Sequence, residues 1–573
     1  MFRSGLLLII VLLAGCGDGA PGTRGTALGG RQYGGVFNVN ETEQLRSIFP
    51  LGLSQASAHR ITAQIYQGLV KLDQRNLSVI PCLAERWEVD ASATSYTFFL
   101  RQGVRFHDDP VFPDGKGREV TASDVVYCFT AICIDEERNH MFWLFQDRVE
   151  GANQHFAATS GGAMPSGGVT GLEVIDQYTV RIRLAHPVPN FLQIVAHQGC
   201  WIWPRELLEQ YGNDLMTHAI GTGAFKLKEI LPDQAMVLER NPTYWERDEL
   251  GNQLPFLDAV RVTFVRDKAI ELEQFLKGNI TAMFEVPVER LDVLADSVSV
   301  EARVRFKVLS IAGLTTQFYG FNSTKPPFDN ERVRKAFALA IDRRFLVDSV
   351  LKGMAVPAMH GLVAPGLGIY PYTEVGGFAF EPDSARSLLA AAGYPGGKGF
   401  PSLLLQVNSD GFGYVQVADA VQEMLERELR VRLSVSVLPA DQHFDRIESG
   451  QAKFWREGWI ADYPDPENFL ALLYGKNAVV DTSQRTFLNT TRYHDPQFDA
   501  LFALAQQSVD PAERAQRLAQ AERKAIKDAV ITPLYHDRNI RLQQPWVRDF
   551  PINSMEYRDL SAVWFDQAIR KDH

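Results

Sequence analysis

The sequence predicts an α/β protein of several folded units built on mixed sheets. Three observations carry this. The chain has 573 residues, which at about 150 residues per unit corresponds to three or four units. Its first half is dominated by period-two apolar alternation, the mark of half-buried strands. Its second half interleaves such strands with capped amphipathic helices. With 46% hydrophobic and 22% charged residues, the composition is that of an ordinary globular protein.

At the N-terminus, Arg3 precedes an apolar run of eight residues, Leu6 to Leu13, and then Ala14-Gly15-Cys16. A charge, a short apolar core and small residues before a cut are the parts of an export signal, expected over 1–15. The run is too short for a permanent membrane span, which takes about 20 residues. The Leu13-Ala14-Gly15-Cys16 ending resembles a bacterial lipobox, which implies that Cys16 is lipidated and opens the mature chain; the alternative is a plain secretory signal with an incidental cysteine. Residues 16–35 are rich in glycine and small side chains, as a flexible tether would be.

Strands are expected at Tyr96, Phe98 and Leu100, at Val104 and Phe106, at Val180, Ile182 and Leu184, and at Val260, Val262 and Phe264. In each, one face is apolar. Asp329 or Asn330 caps a helix carrying Val333, Phe337, Ala340 and Ile341. Asp383 caps another that ends at Gly393. Val417, Val421, Met424, Leu425 and Leu429 form a helical stripe that runs into the alternating Val431, Leu433, Val435 and Val437. Asp510-Pro511-x-Glu513 joins a cap, an N1 proline and a capping-box acid. The helix it starts, to about Asp528, is mostly Ala, Gln, Arg and Glu, and is expected to be long and surface-exposed.

A net charge of -11, with no lysine–arginine block, argues against nucleic acid as a partner. Cys82, Cys128, Cys133 and Cys200 lie in one stretch, and in an exported protein one or two disulfides among them are possible. Spacing does not give the pairing. Cys128 and Cys133 lack companions at zinc-like spacing, and no metal or cofactor is expected.

Many segments, in order, resemble the bacterial extracellular solute-binding proteins of the oligopeptide and dipeptide class, family 5. They include Ile65-Tyr66-Gln67-Gly68-Leu69-Val70, Leu83 to Val89, Arg101 to Asp108, Thr121 to Tyr127, Gly221-Thr222-Gly223-Ala224-Phe225, Glu239 to Trp245, Phe328 to Asp342 and Ala391-Ala392-Gly393-Tyr394. The resemblance covers about Tyr33 to Phe565. It implies a two-lobed periplasmic-binding-protein clamp that closes on its ligand by a hinge. Lobe I is expected from 36–70, 199–312 and 533–573, an extra domain inserted over 71–198, and lobe II over 313–532. The implied protein is no enzyme. It is an exported, lipid-anchored monomer, periplasmic or cell-surface, that hands peptides to the permease of an ABC importer and touches the membrane through its anchor only.

The sharpest segment is Arg456-Glu457-Gly458-Trp459-Ile460-Ala461-Asp462-Tyr463, followed by Pro464-Asp465-Pro466-Glu467-Asn468-Phe469. It is similar to the family's ligand segment, and the resemblance implies that Asp462 meets the peptide's amine. A buried ammonium needs such a partner. The alternative is that Asp462 only ends a strand before the turn. Arg456, six residues earlier, is implied to pair with the peptide's carboxylate through its guanidinium fork; the alternative is an internal ion pair to Glu457 or Asp465. Gly458, Trp459 and Ile460 are expected to be a strand whose edge pairs with extended peptide. Gly458 would allow close approach, and Trp459 would be a flat wall or, alternatively, a core aromatic. Tyr463 completes the expected contacts.

Other motifs are weaker. His107-Asp108-Asp109 reads as a structural loop rather than a metal site. Gly221-Thr222-Gly223 lacks the lysine of a phosphate loop. No nucleophile motif of a hydrolase is present. Two rival functions stand beside the peptide receptor: the same scaffold binding an oligosaccharide, metal complex or haem, and an exported peptidase.

Overall fold

The computed structural model describes residues 25–571 except positions 43, 44, 46, 54, 163, 164, 166, 213, 216, 232, 233, 287–289, 291–304, 409–412 and 480–483. The expected signal segment and Cys16 lie outside the described residues.

Strand β1 (Val36–Asn40) opens the chain's first sheet. The excursion that follows builds an antiparallel sheet of its own from β2 (Ala84–Val89), β3 (Ser95–Leu100), β4 (Leu172–Asp176) and β5 (Thr179–Arg183), in the order β2-β3-β5-β4. Along β3, Tyr96, Phe98 and Leu100 are buried while the intervening residues are half-buried, as the alternation requires. The chain then returns to the first sheet with β6 (Phe225–Leu231), β7 (Ala235–Arg240) and β8 (Ala259–Thr263), which lie in the order β1-β8-β7-β6 with β1 parallel to β8. One continuous core joins these two sheets, from Phe37 and Val260 to Phe98 and Ile182.

The third sheet is mixed. Its strands are β9 (Ala282–Phe284), β10 (Lys307–Phe321), β11 (Ala355–Pro357), β12 (Leu403–Asn408), β13 (Leu433–Leu438), β14 (Phe454–Ile460) and β15 (Ile531–Gln543). Among the described residues the order is β9-β15-β10-β14-β12-β13, with β11 also against β15. The larger cores on it lie around Phe318, Phe469 and Leu518 and around Tyr319, Phe337 and Leu425, with a smaller one around Leu272, Met283 and Leu542. The expected unit boundaries at 312/313 and 532/533 fall inside β10 and β15 rather than in loops.

Caps explain where the helices begin. Helix α1 (Glu331–Leu339) starts at Asn330, whose side chain accepts from Arg332 N. Helix α2 (Pro382–Ala391) starts two positions earlier than expected: Glu381 is the cap residue, Pro382 takes the first helical position, and Asp383 sits inside the first turn. Gly393 has φ +99°, the left-handed exit expected of it. Helix α3 (Tyr414–Leu429) buries its whole predicted stripe. Helix α4 (Pro511–Lys527) carries the predicted cap, with Asp510 Oδ1 accepting from Glu513 N at 2.7 Å.

The expectation of an exposed α4 is corrected. Ala515, Leu518, Ala519, Ala521, Ala525 and Ile526 are buried, because small alanines let the helix seat closely on its neighbours. Two polar side chains on that face are satisfied internally. Arg514 forks onto Asp465 at 2.7 and 2.8 Å. Glu522 Oε1 accepts from Leu362 N and Val363 N at 2.6 and 2.8 Å, and Tyr370 donates to its other oxygen. Full burial pushes the Glu522 carboxyl up to about 7.

The tether is corrected too. From Gly25 the chain is docked: Leu28 N donates to Asn252 Oδ1 at 2.8 Å, and Arg31 pairs with Asp248, Glu249 and Asp549. Cys82, Cys128, Cys133 and Cys200 are free thiols, all buried.

Candidate functional site

Strand β14 carries the segment singled out in the sequence. It pairs with β10 along its whole length, from Phe454 opposite Phe321 to Ile460 opposite Thr315. On its other side β12 meets it only at Trp455, opposite Gln406. From Arg456 to Ile460 that edge has no strand partner among the described residues, so its backbone groups can accept an added strand. Ile460 projects from this stretch, 65% exposed.

Arg456 is buried, 7% exposed, and neither expected internal ion pair exists. Glu457 accepts instead from Trp455 Nε1 and Thr490 Oγ1 at 2.7 and 2.8 Å, and Asp465 is taken by Arg514. The guanidinium donates to Asn408 Oδ1 at 3.2 Å and to Gln317 Oε1, lies 3.4 Å over the Tyr414 ring, and leaves Nε without an acceptor. No carboxylate forms an ion pair with it among the described residues. The cation is thus held by neutral partners, with one buried donor left idle.

Gly458 has a packing role within the protein. A Cβ there would sit 2.4 Å from Gln317 Oε1 and 2.8 Å from Arg456 Nη2. Its bareness makes room for the Arg456–Gln317 hydrogen bond.

Asp462 follows the strand. Its side chain is exposed to solvent, yet surrounding protein pushes its carboxyl up to about 6. Open to solvent and yet closely surrounded by protein, the side chain sits in a recess of the surface. Asn468, on the short helix Pro466–Leu470, fixes it: Asn468 Nδ2 donates to Asp462 Oδ2 at 3.0 Å, while Asn468 Oδ1 accepts from Asp462 N at 3.1 Å and from Trp459 Nε1 at 2.8 Å. That hydrogen bond and the peptide N–H lower the carboxyl; burial and Glu467 raise it. No cation pairs with Asp462 among the described residues. Trp459 is half-buried against the large sheet's core, between the wall and the core aromatic that the sequence left open.

Tyr463 is buried and points elsewhere. Its hydroxyl donates to Glu467 Oε2 at 2.5 Å and its ring stacks on Trp143 with centroids 6.5 Å apart. Asn190 Nδ2 also donates to Glu467, at 3.2 Å. Trp143 and Asn190, from the stretch that builds the second sheet, therefore touch the Tyr463–Glu467 turn directly. Tyr463 holds this contact.

Sequence reasoning missed Gln317, Asn408, Tyr414, Asn468 and Asp537. Asp537 lies on β15, where its Oδ2 accepts from Gln317 Nε2 at 2.9 Å. Burial pushes its carboxyl up to about 6, against the lowering effects of Gln317 and Arg456. Its signal was a lone acid inside a strand, Ile531–Gln543. His107 is structural: it is buried, and its Nε2 donates to Gly223 O at 2.9 Å. Gly221 and Gly223 pack against the Ile65 and Gln64 backbone, where a Cβ would come within 2.1 and 2.4 Å.

The family model for bacterial extracellular solute-binding proteins, family 5 Middle, matches residues 78–481. The chain is 27% identical over 544 residues to the periplasmic oligopeptide-binding protein OppA of Salmonella typhimurium, covering 91% of this chain and 92% of that one. It is 26% identical over 530 residues to heme-binding protein A of Haemophilus influenzae, covering 90% and 91%. A solved structure of a periplasmic oligopeptide-binding protein (oligopeptide ABC transporter, OppAIV) from Borrelia burgdorferi superposes with a TM-score of 0.73 at 25% identity, covering 93% of this chain and all of that one, 100%.

Proposed function

The chain belongs to the bacterial extracellular solute-binding proteins of family 5, and from that premise we propose that it captures a free peptide in the recess beside β14 and delivers it to the permease of an ABC importer. The observation that carries the reading is the pairing of opposite, uncompensated charges in one segment. Arg456 presents a buried guanidinium with no carboxylate partner, and Asp462 presents a carboxylate with no cation, among the described residues. A zwitterionic peptide supplies both missing ions. The open edge from Arg456 to Ile460 supplies main-chain hydrogen bonds that do not read sequence.

In this reading Asp462 takes the amine, Arg456 the carboxylate, and Gly458, Trp459 and Ile460 the peptide backbone and a side chain; Tyr463 sets the segment against the inserted unit. The protein binds and releases without covalent change. It is exported, monomeric and anchored through lipid at Cys16, with the first sheet's body as lobe I and the large sheet's body as lobe II. The charge pattern, together with the likeness to oligopeptide-binding OppA, supports a peptide over a sugar, metal complex or haem.

The test is calorimetry of the purified protein with alanine tri- and tetrapeptides, each also as its N-acetyl and C-amide form. Binding of the free peptides and marked weakening by either cap is expected. Equal affinity for free and doubly capped peptides would overturn the reading. Recovery of cleaved peptide would turn it toward a peptidase.

A further inference from the structure

We propose that Asp537 is a specificity-determining residue that selects peptides carrying a basic side chain next to their carboxylate end. This rests on the peptide reading above and deepens it.

The argument is a count of charges. Arg456 on β14 and Asp537 on β15 are joined through Gln317 on β10, Asp462 lies two residues beyond β14, and none of the three charges forms an ion pair among the described residues. The nearby Glu285 differs, since Lys268 lies 3.6 Å from it. A peptide with neutral side chains brings one ammonium and one carboxylate. These answer Asp462 and Arg456 and leave Asp537 enclosed without a partner. An enclosed lone carboxylate is costly; it must take a proton or meet a cation.

Geometry says which cation is close enough. Gln317 spans Arg456 and Asp537: its Oε1 accepts from Arg456 Nη2, and its Nε2 donates to Asp537 Oδ2 at 2.9 Å. The amide keeps guanidinium and carboxylate as near neighbours, so that Asp537 feels the charge of Arg456 without forming an ion pair with it. One Asp537 oxygen is left with no hydrogen bond among the described residues. An ammonium or guanidinium arriving from the ligand can take it in a charge-assisted hydrogen bond. Because Gln317 ties Asp537 to Arg456, the cation must come from a side chain close to the ligand's carboxylate. Tyr414, whose ring lies against Arg456, closes the same corner and gives the aliphatic stem of lysine an apolar surface.

The test is calorimetry of alanine tri- and tetrapeptides in which lysine, glutamine or norleucine is scanned through each position. The wild type is expected to favour lysine over glutamine roughly tenfold or more at the last or penultimate position only. In Asp537→Asn, which keeps an acceptor for Gln317, the lysine-to-glutamine ratio is expected to fall to about one, and in Asp537→Glu to recover. The wild-type comparison needs no variant, so a misfolded mutant does not shield the proposal. A wild-type ratio near one overturns it while leaving the peptide reading standing. A ratio that survives Asp537→Asn, or an equal loss of all peptides in that variant, overturns it by making Asp537 a structural neighbour of Arg456. If no peptide in the series binds the wild type, the peptide reading fails, and this proposal with it.

Discussion

Asp462→Asn is the most informative perturbation of the recess. The substitution is isosteric, and its amide oxygen can still accept from Asn468 Nδ2, which now meets Asp462 Oδ2 at 3.0 Å. The fold and the Asn468 network should survive, and only the charge is lost. In the ligand-free protein water reaches the carboxylate, so its present environment alone sets no large penalty. Once a ligand ammonium docks and the recess is filled, both ions leave water. Deleting one partner of such a pair costs roughly 3–5 kcal/mol, or about 150- to 5,000-fold in affinity. A pair left at the surface costs at most about 1 kcal/mol, about fivefold. The size of the loss therefore reports whether the amine is sealed in. The pH dependence is a second reading of the same group. Its carboxyl is pushed up to about 6, so below that pH it holds a proton that the incoming ammonium must expel. Wild-type affinity should fall as pH drops from 7 to 5, and the part of that fall due to Asp462 should be missing in Asp462→Asn. Titration calorimetry at three pH values, with free and N-acetylated peptide, measures both effects. The double change should cost less than the sum of the single ones. Asp462→Asn binding free peptide as tightly as the wild type at pH 7 would refute the reasoning.

Three further outcomes follow from other groups. Arg456→Met removes a buried cation that has no ion-pair partner, so thermal stability should hold or rise while affinity for peptides with a free carboxylate falls tenfold or more, roughly; a clear drop in melting temperature together with unchanged affinity would make Arg456 structural. Glu522 keeps its proton to about 7 in the folded protein against 4.5 ordinarily, so the native state binds more protons over that interval and stability falls as pH rises through it. Relative to Glu522→Gln, the wild type should lose up to about 3 kcal/mol between pH 4 and 8, and parallel denaturation curves at the two pH values would dismiss this. Finally, intact-mass analysis of protein from membranes should find the chain beginning at an acylated Cys16; an unmodified Cys16, or a cut elsewhere, removes the anchor.

Most of the expected strands were legible because one side of each faces a core, whereas Val104 and Phe106 are buried beside only an isolated bridge at Arg105. Tyr96, Phe98 and Leu100 announce this by alternation alone, and Asn330 and Asp510 announce their helices by cap chemistry. Helix α4 misled because composition averages over its surface: many charged residues are compatible with one narrow face of alanines and a leucine. The recess was half legible. Arg456 and Asp462 lie in a single local segment with recognisable spacing. Gln317, Asn408, Tyr414 and Asp537 come to it from β10, β12, α3 and β15, and no local pattern says that these strands are neighbours. Asn468 was within sight, inside the turn after Asp462, but its part as the clasp of both Asp462 and Trp459 depends on a fold-back that spacing does not reveal.

Strands β10 and β15 pair from Lys307 opposite Gln543 to Gly320 opposite Ile531, interrupted between Ala312 and Thr316. The two bodies of the clamp therefore share one ladder of backbone hydrogen bonds. Cutting the molecule into separately expressed halves would leave each with an open, unpaired edge along these long strands, a template for aggregation. Joined in this way, the chain should melt as one: a calorimetric scan of the ligand-free protein should give a single cooperative transition through this ladder, and engineering that swaps one lobe for another must carry both strands together.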